Sequence, residues 1–587
     1  MSKNPELELA LQFIDKTDRN LFITGKAGTG KTTFLHQIKK KTLKRMVIVA
    51  PTGVAAINAK GVTIHSFFQM PFGPILPNQI ANTSNQQRKF SKTKIDIIKS
   101  LDLVIIDEIS MVRADLLDGI DQVLRRYKNR DKVFGGAQVL MIGDLQQLAP
   151  VVRPNEWSLL QSHYETVYFF SSKAYQQAKV VSIELKHIYR QKNEDFITIL
   201  NEIRNDDLSE KSANILNKRF KPNFSPSKEE GYITLTTHNN RANLINNSEL
   251  NKVQGNSIFF RAEISGKFNE NAFPNAEELE LKVGAQVMFI KNDSSPEKRY
   301  YNGKIGIVTN ISKTTVTVQC ANEGDEIVTE KEVWTNINYS IHEETKALKE
   351  EIVGSFSQIP LQLAWAITIH KSQGLTFERA IIDAEASFAH GQTYVALSRC
   401  TSLEGLVLKT PITASAIIND NTVRIFNQDI EENLPNEAVL NDSEKEFQLN
   451  LIAELLDYQP FLYPITRLID IFYKNQTSIN GAVIEHLHTI KDDGIVALMK
   501  VAAGFRNQLF VLAQEGILPE NSSAVQERFT KAMAYFQTQT QNNIQKPLDA
   551  ISFSTDNKAV KKDFVKQFDT LQEKLEEKLF ALQKMTK

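Results

Sequence analysis

The chain has 587 residues, of which 42% are hydrophobic and 24% charged, with basic and acidic side chains balanced at 69 each. That length has room for about four domains, and the zero net charge gives no overall pull toward a polyanion. Two cysteines, Cys320 and Cys400, exclude a disulfide framework and an all-cysteine zinc site. A reducing, cytoplasmic setting is expected, with a bacterial nucleoid as the natural place. Met1-Ser2-Lys3-Asn4-Pro5-Glu6 lacks the order of a signal sequence, and no apolar run approaches a membrane span.

Along the chain, Leu21-Phe22-Ile23-Thr24 reads as a buried strand and Thr33 to Lys41 as a helix. Between them lies Gly25-Lys26-Ala27-Gly28-Thr29-Gly30-Lys31-Thr32, a glycine, four residues, then glycine, lysine and threonine. This is a phosphate-binding loop in its strand–loop–helix context. The glycines let backbone N–H groups turn inward around phosphates at a helix N-terminus. Lys31 is expected to reach the β- and γ-phosphates, and the Thr32 hydroxyl to ligate Mg²⁺. A nucleoside triphosphate is therefore the expected ligand.

Met46 to Ala50, Leu103 to Ile106 and Val139 to Ile142 are short apolar runs that suit a parallel sheet covered on both faces. Gln69 to Lys94, rich in Pro, Asn, Gln, Ser and Lys, reads as an excursion from that sheet. The second of these runs, Leu103 to Ile106, ends in Asp107-Glu108. Beside a phosphate loop, Asp107 would hold Mg²⁺ and Glu108 would polarise the attacking water. Gly143-Asp144-Leu145-Gln146-Gln147-Leu148 follows the next strand, where an amide, Gln147 or else Gln146, can sense a γ-phosphate. Arg190 and Arg399 stand where a second domain could present arginine fingers.

A second α/β region begins near Glu184, with Tyr232 to Thr236 and Ala380 to Ile382 as strands and a helix around Ile245. From about Ser257 to Thr345 the texture is β-rich: Val287 to Ile290, Ile305 to Val308 and Val316 to Val318, with turns at Asn302-Gly303 and Asn322 to Asp325. This predicts a small β-barrel inserted into the second α/β domain. After Asn419 the pattern is helical, with Phe447, Leu451, Leu455 and Leu456 at helical spacing, and likewise Phe564, Phe568, Leu571, Leu575 and Leu579. The last of these reads as an amphipathic helix packing on its own bundle. From Asp420 onward acidic residues outnumber basic ones 24 to 18, so the tail carries −6 and the rest +6. His486 and His488 read as surface residues rather than metal ligands.

The ordered series resembles the helicase motifs of superfamily one, subgroup B. It runs Gly25 to Thr32, Ala50 to Ala56, Thr63 to Phe68, Asp107 to Met111, Gly143 to Val151, Tyr189-Arg190-Gln191, Ala366 to Thr376 and Tyr394 to Arg399. It is most similar to the petite-integration-frequency (Pif-one) helicases, with the RecD-like enzymes as relatives, over about Leu7 to Leu408. The resemblance implies an α/β chain with two RecA-like domains, at 1–185 and 186–415, with ATP in the cleft between them. It implies 5′-to-3′ translocation on single-stranded DNA, with unwinding of duplexes that carry a 5′ tail, in repair, recombination or replication. ATP would lie on Gly25 to Thr33, with Gln12, the only glutamine before the loop, as the adenine contact. Lys31, Asp107, Glu108, Gln147, Arg190 and Arg399 would act on the γ-phosphate. Pro51, Thr52, His65, Phe67 or Phe68, Thr368, His370, Lys371 and Gln373 would contact DNA, the hydroxyls and amides through phosphates and the flat rings by stacking on bases. Trp365 could serve there or in the core. The insertion, with Lys291-Asn292-Asp293 and Tyr300 to Lys304, resembles the family's SH3-like module, and the excursion from Phe72 to Lys94 would be its wedge region. A monomer is expected, and the helical tail, 420–587, is a candidate site for a protein partner. The rivals are a RecD-like subunit of a nuclease complex, a translocase that strips proteins without unwinding, and a nucleotide-gated scaffold.

Overall fold

The computed structural model describes residues 4–71, 73–77, 90–191, 193–205, 207–227, 230–268, 270, 273–293, 295, 297, 299–320, 325–341, 348–383, 391–412, 420–513 and 517–585. Most of the expected wedge region, residues 72 and 78–89, and the turn at 322–324 lie outside these. The chain divides into two compact units, Met1–Pro435 and Asn436–Lys587.

The first unit opens with a six-stranded sheet. Its strands are β1 (Leu21–Gly25), β2 (Met46–Ala50), β3 (Val62–Thr63), β4 (Leu103–Ile106), β5 (Gln138–Ile142) and β6 (Val181–Leu185). Their order is β3-β2-β4-β5-β1-β6, and every pairing is parallel. β1, β4 and β5 are buried along their whole length, as expected for apolar strands covered on both faces. Because β4, β5 and β1 are neighbours, the three loops leaving their C-terminal ends converge. Those loops begin at Gly25, Asp107 and Gly143. This is where an open parallel sheet binds ligands.

A second parallel sheet follows, built from β7 (Ile233–Thr236), β8 (Ala366–Thr368), β9 (Ala380–Asp383) and β10 (Leu406–Leu408) in the order β8-β7-β9-β10. Its core includes Ile233, Leu235, Phe377, Ile382 and Leu397, and Ala27 and Leu148 from the first sheet's loops join the same cluster. The two sheets are thus packed together at the phosphate loop.

Between β7 and β8 the chain makes antiparallel strands. Five of them, Ile327–Glu330, Thr315–Cys320, Ile305–Ile311, Gln286–Phe289 and Leu361–Leu363, form one sheet in that order. Phe289, Val308, Val316 and Val318 fill its core, and Trp365 packs against it. The insertion runs past the expected limit at 345, because Leu361–Leu363 pairs with Val287–Phe289. That run is too short and too near β8 to stand out by periodicity.

In Asn436–Lys587 the named elements are helices. Phe564, Leu571 and Leu575 of the helix Lys558–Met585 enter the core, with Phe568 and Leu579 at its edge. Leu451 is exposed and Leu449 takes the inward place, a correction to the expected stripe. By length and composition the continuous helical run Ile484–Leu512 could cross a membrane, contrary to expectation. Lys500 and Arg506 interrupt its apolar residues, so no unbroken apolar run marks it in the sequence. In the structure Leu498, Phe505 and Leu509 of this run are buried in the unit's core. The run widens to i→i+5 turns over Ile490–Val496, and there Gly494 lies against a second such segment. A Cβ on Gly494 would sit 2.7 Å from Ile544 Cγ1 and 2.8 Å from Asn543 O. Gly494→Ala is therefore expected to destabilise this unit by about 1–3 kcal/mol. Hydrogen exchange should quicken around Leu487 to Leu498 and stay unchanged in the phosphate loop.

Candidate nucleotide and DNA site

The phosphate loop takes its shape from three glycines, with φ of +148° at Gly25, +83° at Gly28 and +86° at Gly30. Gly28 also makes room for a neighbour. A Cβ there would lie 2.6 Å from Arg190 Cβ, and Gly28 O accepts from the Tyr189 N–H at 2.9 Å. Lys31 opens the helix Lys31–Lys41, and its ammonium folds back to donate to Gly25 O (2.6 Å) and Lys26 O (3.0 Å). Burial pushes the Lys31 pKa down. Thr32 and Thr33 are exposed, and Gln12 is half-buried on the helix Pro5–Lys16.

Asp107 and Glu108 leave the end of β4. Glu108 holds φ at +51°, a left-handed conformation that a non-glycine residue keeps only when its surroundings enforce it. Its N–H donates to Asp107 Oδ1 at 3.0 Å. Burial, followed by the charge of Glu108, pushes Asp107 up to about 7, and burial raises Glu108 while Lys31 opposes it. Asp107 and the Thr32 hydroxyl are hard oxygen donors of the kind that Mg²⁺ takes alongside water and phosphate. Among the described residues no cluster of three His, Cys, Asp or Glu forms a complete protein cage.

The loop after β5 is tied to both domains. Asp144 is buried and accepts from Gln147 Nε2 at 3.0 Å. Gln147 Oε1 in turn faces Arg399 Nη2 at 3.5 Å. Arg399 is 2% exposed and also donates to Val395 O and Leu375 O. Burial and the nearby Arg190 lower its pKa. Arg190 Nη1 donates to Ser398 O at 3.1 Å, so both arginines meet at the end of the helix Gln392–Ser398. Gly391, just before that helix, has φ of +74°, and a Cβ there would lie 2.0 Å from Gln147 O. The structure brings Lys31, Asp107, Glu108, Gln147, Arg190 and Arg399 into one group, in which Asp107, Gln147 and Arg399 are buried and the other three half-buried.

Three members of this group were not singled out from sequence. Arg204, buried on the helix Glu194–Asn205, sits 3.6 Å from Asp144 and 3.7 Å from Glu184. It lies four residues after Leu200, on the helix's apolar face, a spacing that marks an inward cation. Tyr394 OH accepts from the Ala27 N–H at 2.9 Å, so a residue of the second domain already occupies a phosphate-loop amide. Asp144 was visible only as part of its loop.

The residues expected to face DNA separate into two groups. Pro51 and Thr52 are half-buried, and Thr52 caps the helix Gly53–Ala59 by accepting from the Ala55 N–H. His65 is half-buried, and His370 and Lys371 are exposed. Thr368 is buried, and its Oγ1 accepts from the Lys371 N–H. Phe67 and Phe68 correct the expectation. Both are buried in the core of the first sheet, edge to face at 4.9 Å, with Lys94 Nζ 3.4 Å above Phe67. Neither ring offers a face to a base in this arrangement. Gln373 Nε2 donates to Glu108 Oε2 at 3.0 Å.

A family profile for PIF1-like helicase matches residues 8–214. The ATP-dependent DNA helicase Pif1 of Campylobacter jejuni is 31% identical over 402 residues, covering 65% of this chain and 87% of its own. The chain belongs to the Pif1-like helicase family. It is accordingly an ATP-dependent DNA helicase, with an α/β fold built on parallel sheets. Unliganded Pif1 from Bacteroides sp. is 40% identical and covers 73% of this chain and 97% of its own, with a TM-score of 0.67. Bacteroides Pif1 bound to ssDNA is 41% identical and covers 74% and 98%, with a TM-score of 0.54. The tail, which no helicase motif reaches, matches a second profile, DNA helicase, middle domain, over residues 439–587.

Proposed function

We propose that this Pif1-like helicase moves 5′-to-3′ along single-stranded DNA, as a monomer, and opens duplexes that present a 5′ tail, in repair, recombination or replication. The observation that carries the reading is the cross-domain group at the phosphate loop. Lys31, Asp107, Glu108 and Gln147 come from the first sheet, and Arg399 comes from the second and touches Gln147. A site divided in this way makes phosphate occupancy control the fit between two domains.

In this reading Lys31 leaves the loop carbonyls for the β- and γ-phosphates, and the freed backbone N–H groups cradle them. Thr32 and Asp107 hold Mg²⁺, which when bound neutralises charge on the phosphates. Ionised Glu108 takes a proton from the attacking water. Arg190 and Arg399 stabilise the charge that develops on the transferred phosphoryl group. Gln147, bonded to both Asp144 and Arg399, reports whether the γ-phosphate is present.

The strand would run over Thr52 and His65 of the first domain and Thr368, His370 and Lys371 of the second, gripped through phosphates and so without sequence preference. The antiparallel insertion is read as an SH3-like module closing over the strand. The helical unit from Asn436 is read as an accessory domain able to dock a protein partner.

The test is a pair of duplexes, one with only a 5′ single-stranded tail and one with only a 3′ tail. Strand separation is expected on the first alone. Preference for the 3′ tail overturns the polarity, and ATP hydrolysis without separation on either favours a translocase that only strips proteins.

A further inference from the structure

The carboxylate proposed as general base is held by a residue of the other domain. Gln373 lies in the turn that leaves β8, where Ser372 N–H donates to Thr368 O and Gln373 N–H to His370 O. The turn has two sides. His370 and Lys371 are exposed, while Gln373 is half-buried and donates to Glu108 Oε2 at 3.0 Å. One short segment therefore faces the proposed DNA track and the hydrolytic carboxylate at once.

A general base must have an oxygen within hydrogen-bond reach of the water it activates. Glu108 is half-buried, its backbone is held at φ of +51°, and Gln373 occupies one of its carboxylate oxygens. A charge-assisted bond to a carboxylate fixes its orientation. We propose that Gln373 is a positioning residue that restrains Glu108 until DNA engages the turn at His370 and Lys371 and draws the amide away. DNA then stimulates hydrolysis by freeing the base, with no need to alter how ATP is bound. The chain fits both the unliganded relative and its ADP-AlF4 complex, at TM-scores of 0.67 and 0.69, better than the ssDNA-bound one at 0.54.

This inference rests on Glu108 as general base, and the two can fail separately. Glu108→Gln should abolish hydrolysis with and without DNA; if hydrolysis survives, the assignment of the base is wrong. Gln373→Ala should raise the DNA-free kcat on the order of tenfold, the weight of one charge-assisted hydrogen bond, with little change in KM for ATP. The DNA-saturated kcat should stay within about twofold, so the stimulation ratio falls by the same order. Gln373→Asn, whose amide is one methylene short of Glu108, should behave like alanine rather than like glutamine. A gain in rate cannot come from misfolding. A DNA-free kcat that is unchanged or lower in both variants, in protein that still binds a fluorescent ADP analogue, overturns the proposal. Weakened ssDNA binding with an unchanged DNA-free kcat would make Gln373 a DNA contact only.

Discussion

Lys31→Ala is expected to lower DNA-stimulated ATP hydrolysis by on the order of 10³-fold or more while leaving the fold at least as stable as before. The two halves of this expectation have separate causes. The ammonium is folded onto the loop's own carbonyls, so its loss removes charge stabilisation from the β- and γ-phosphates. In the free protein the same ammonium is buried, and its pKa is lowered. A lysine that binds its proton less tightly in the folded than in the unfolded chain costs stability wherever it is charged in both states. That cost is present below the folded pKa and fades as pH rises toward the unfolded value. The alanine variant is thus relieved of that cost, though it loses bonds to Gly25 O and Lys26 O. Steady-state hydrolysis with single-stranded DNA, paired with thermal unfolding at pH 7, checks both halves. Loss of activity accompanied by a lower Tm would show that Lys31 is structural.

Arg399→Ala is expected to reduce kcat by about 10³-fold, with much less change in the affinity for ADP. The guanidinium is oriented by Val395 O and Leu375 O, and its remaining Nη2 faces Gln147, at the boundary of the two domains. A group delivered from the second domain contributes most when the domains close on the transferring phosphate, which ADP lacks. Arg399→Lys should recover little, because a lysine cannot reproduce the planar fork that reaches two carbonyls and the amide together. Single-turnover hydrolysis and binding of a fluorescent ADP analogue separate the effects. Equal losses in both would mean that Arg399 holds the nucleotide rather than acting on its γ-phosphate.

Much of the nucleotide site is legible along the chain because its chemistry is local. The phosphate loop needs Gly25, Gly28 and Gly30 at left-handed positions, with lysine and threonine at the next helix's start, and eight consecutive residues declare it. Asp107-Glu108 is readable for the same reason, since a strand's end places both carboxylates without help from elsewhere. The apolar runs of β1, β2, β4 and β5 likewise announce strands buried on both faces.

The DNA face was less legible, because whether an aromatic ring is inside or outside depends on what packs beside it. Phe67 and Phe68 carry the motif, yet the first sheet's core takes both rings. Gln373 and Glu108 are 265 residues apart, and Arg399 and Gln147 are 252 apart. No periodicity can express such pairs.

The sequence by itself determined the reaction class, the loop that holds the phosphates and the residue types that act on them, because each rests on backbone geometry spanning a few neighbours. Only the tertiary structure decided which of those side chains meet. It set Gln373 on Glu108, Tyr394 on the Ala27 amide and Arg204 beside Asp144. The reason is physical. Chain neighbours are fixed by covalent spacing, whereas partners across a domain boundary are chosen by how two separately folded cores close against each other.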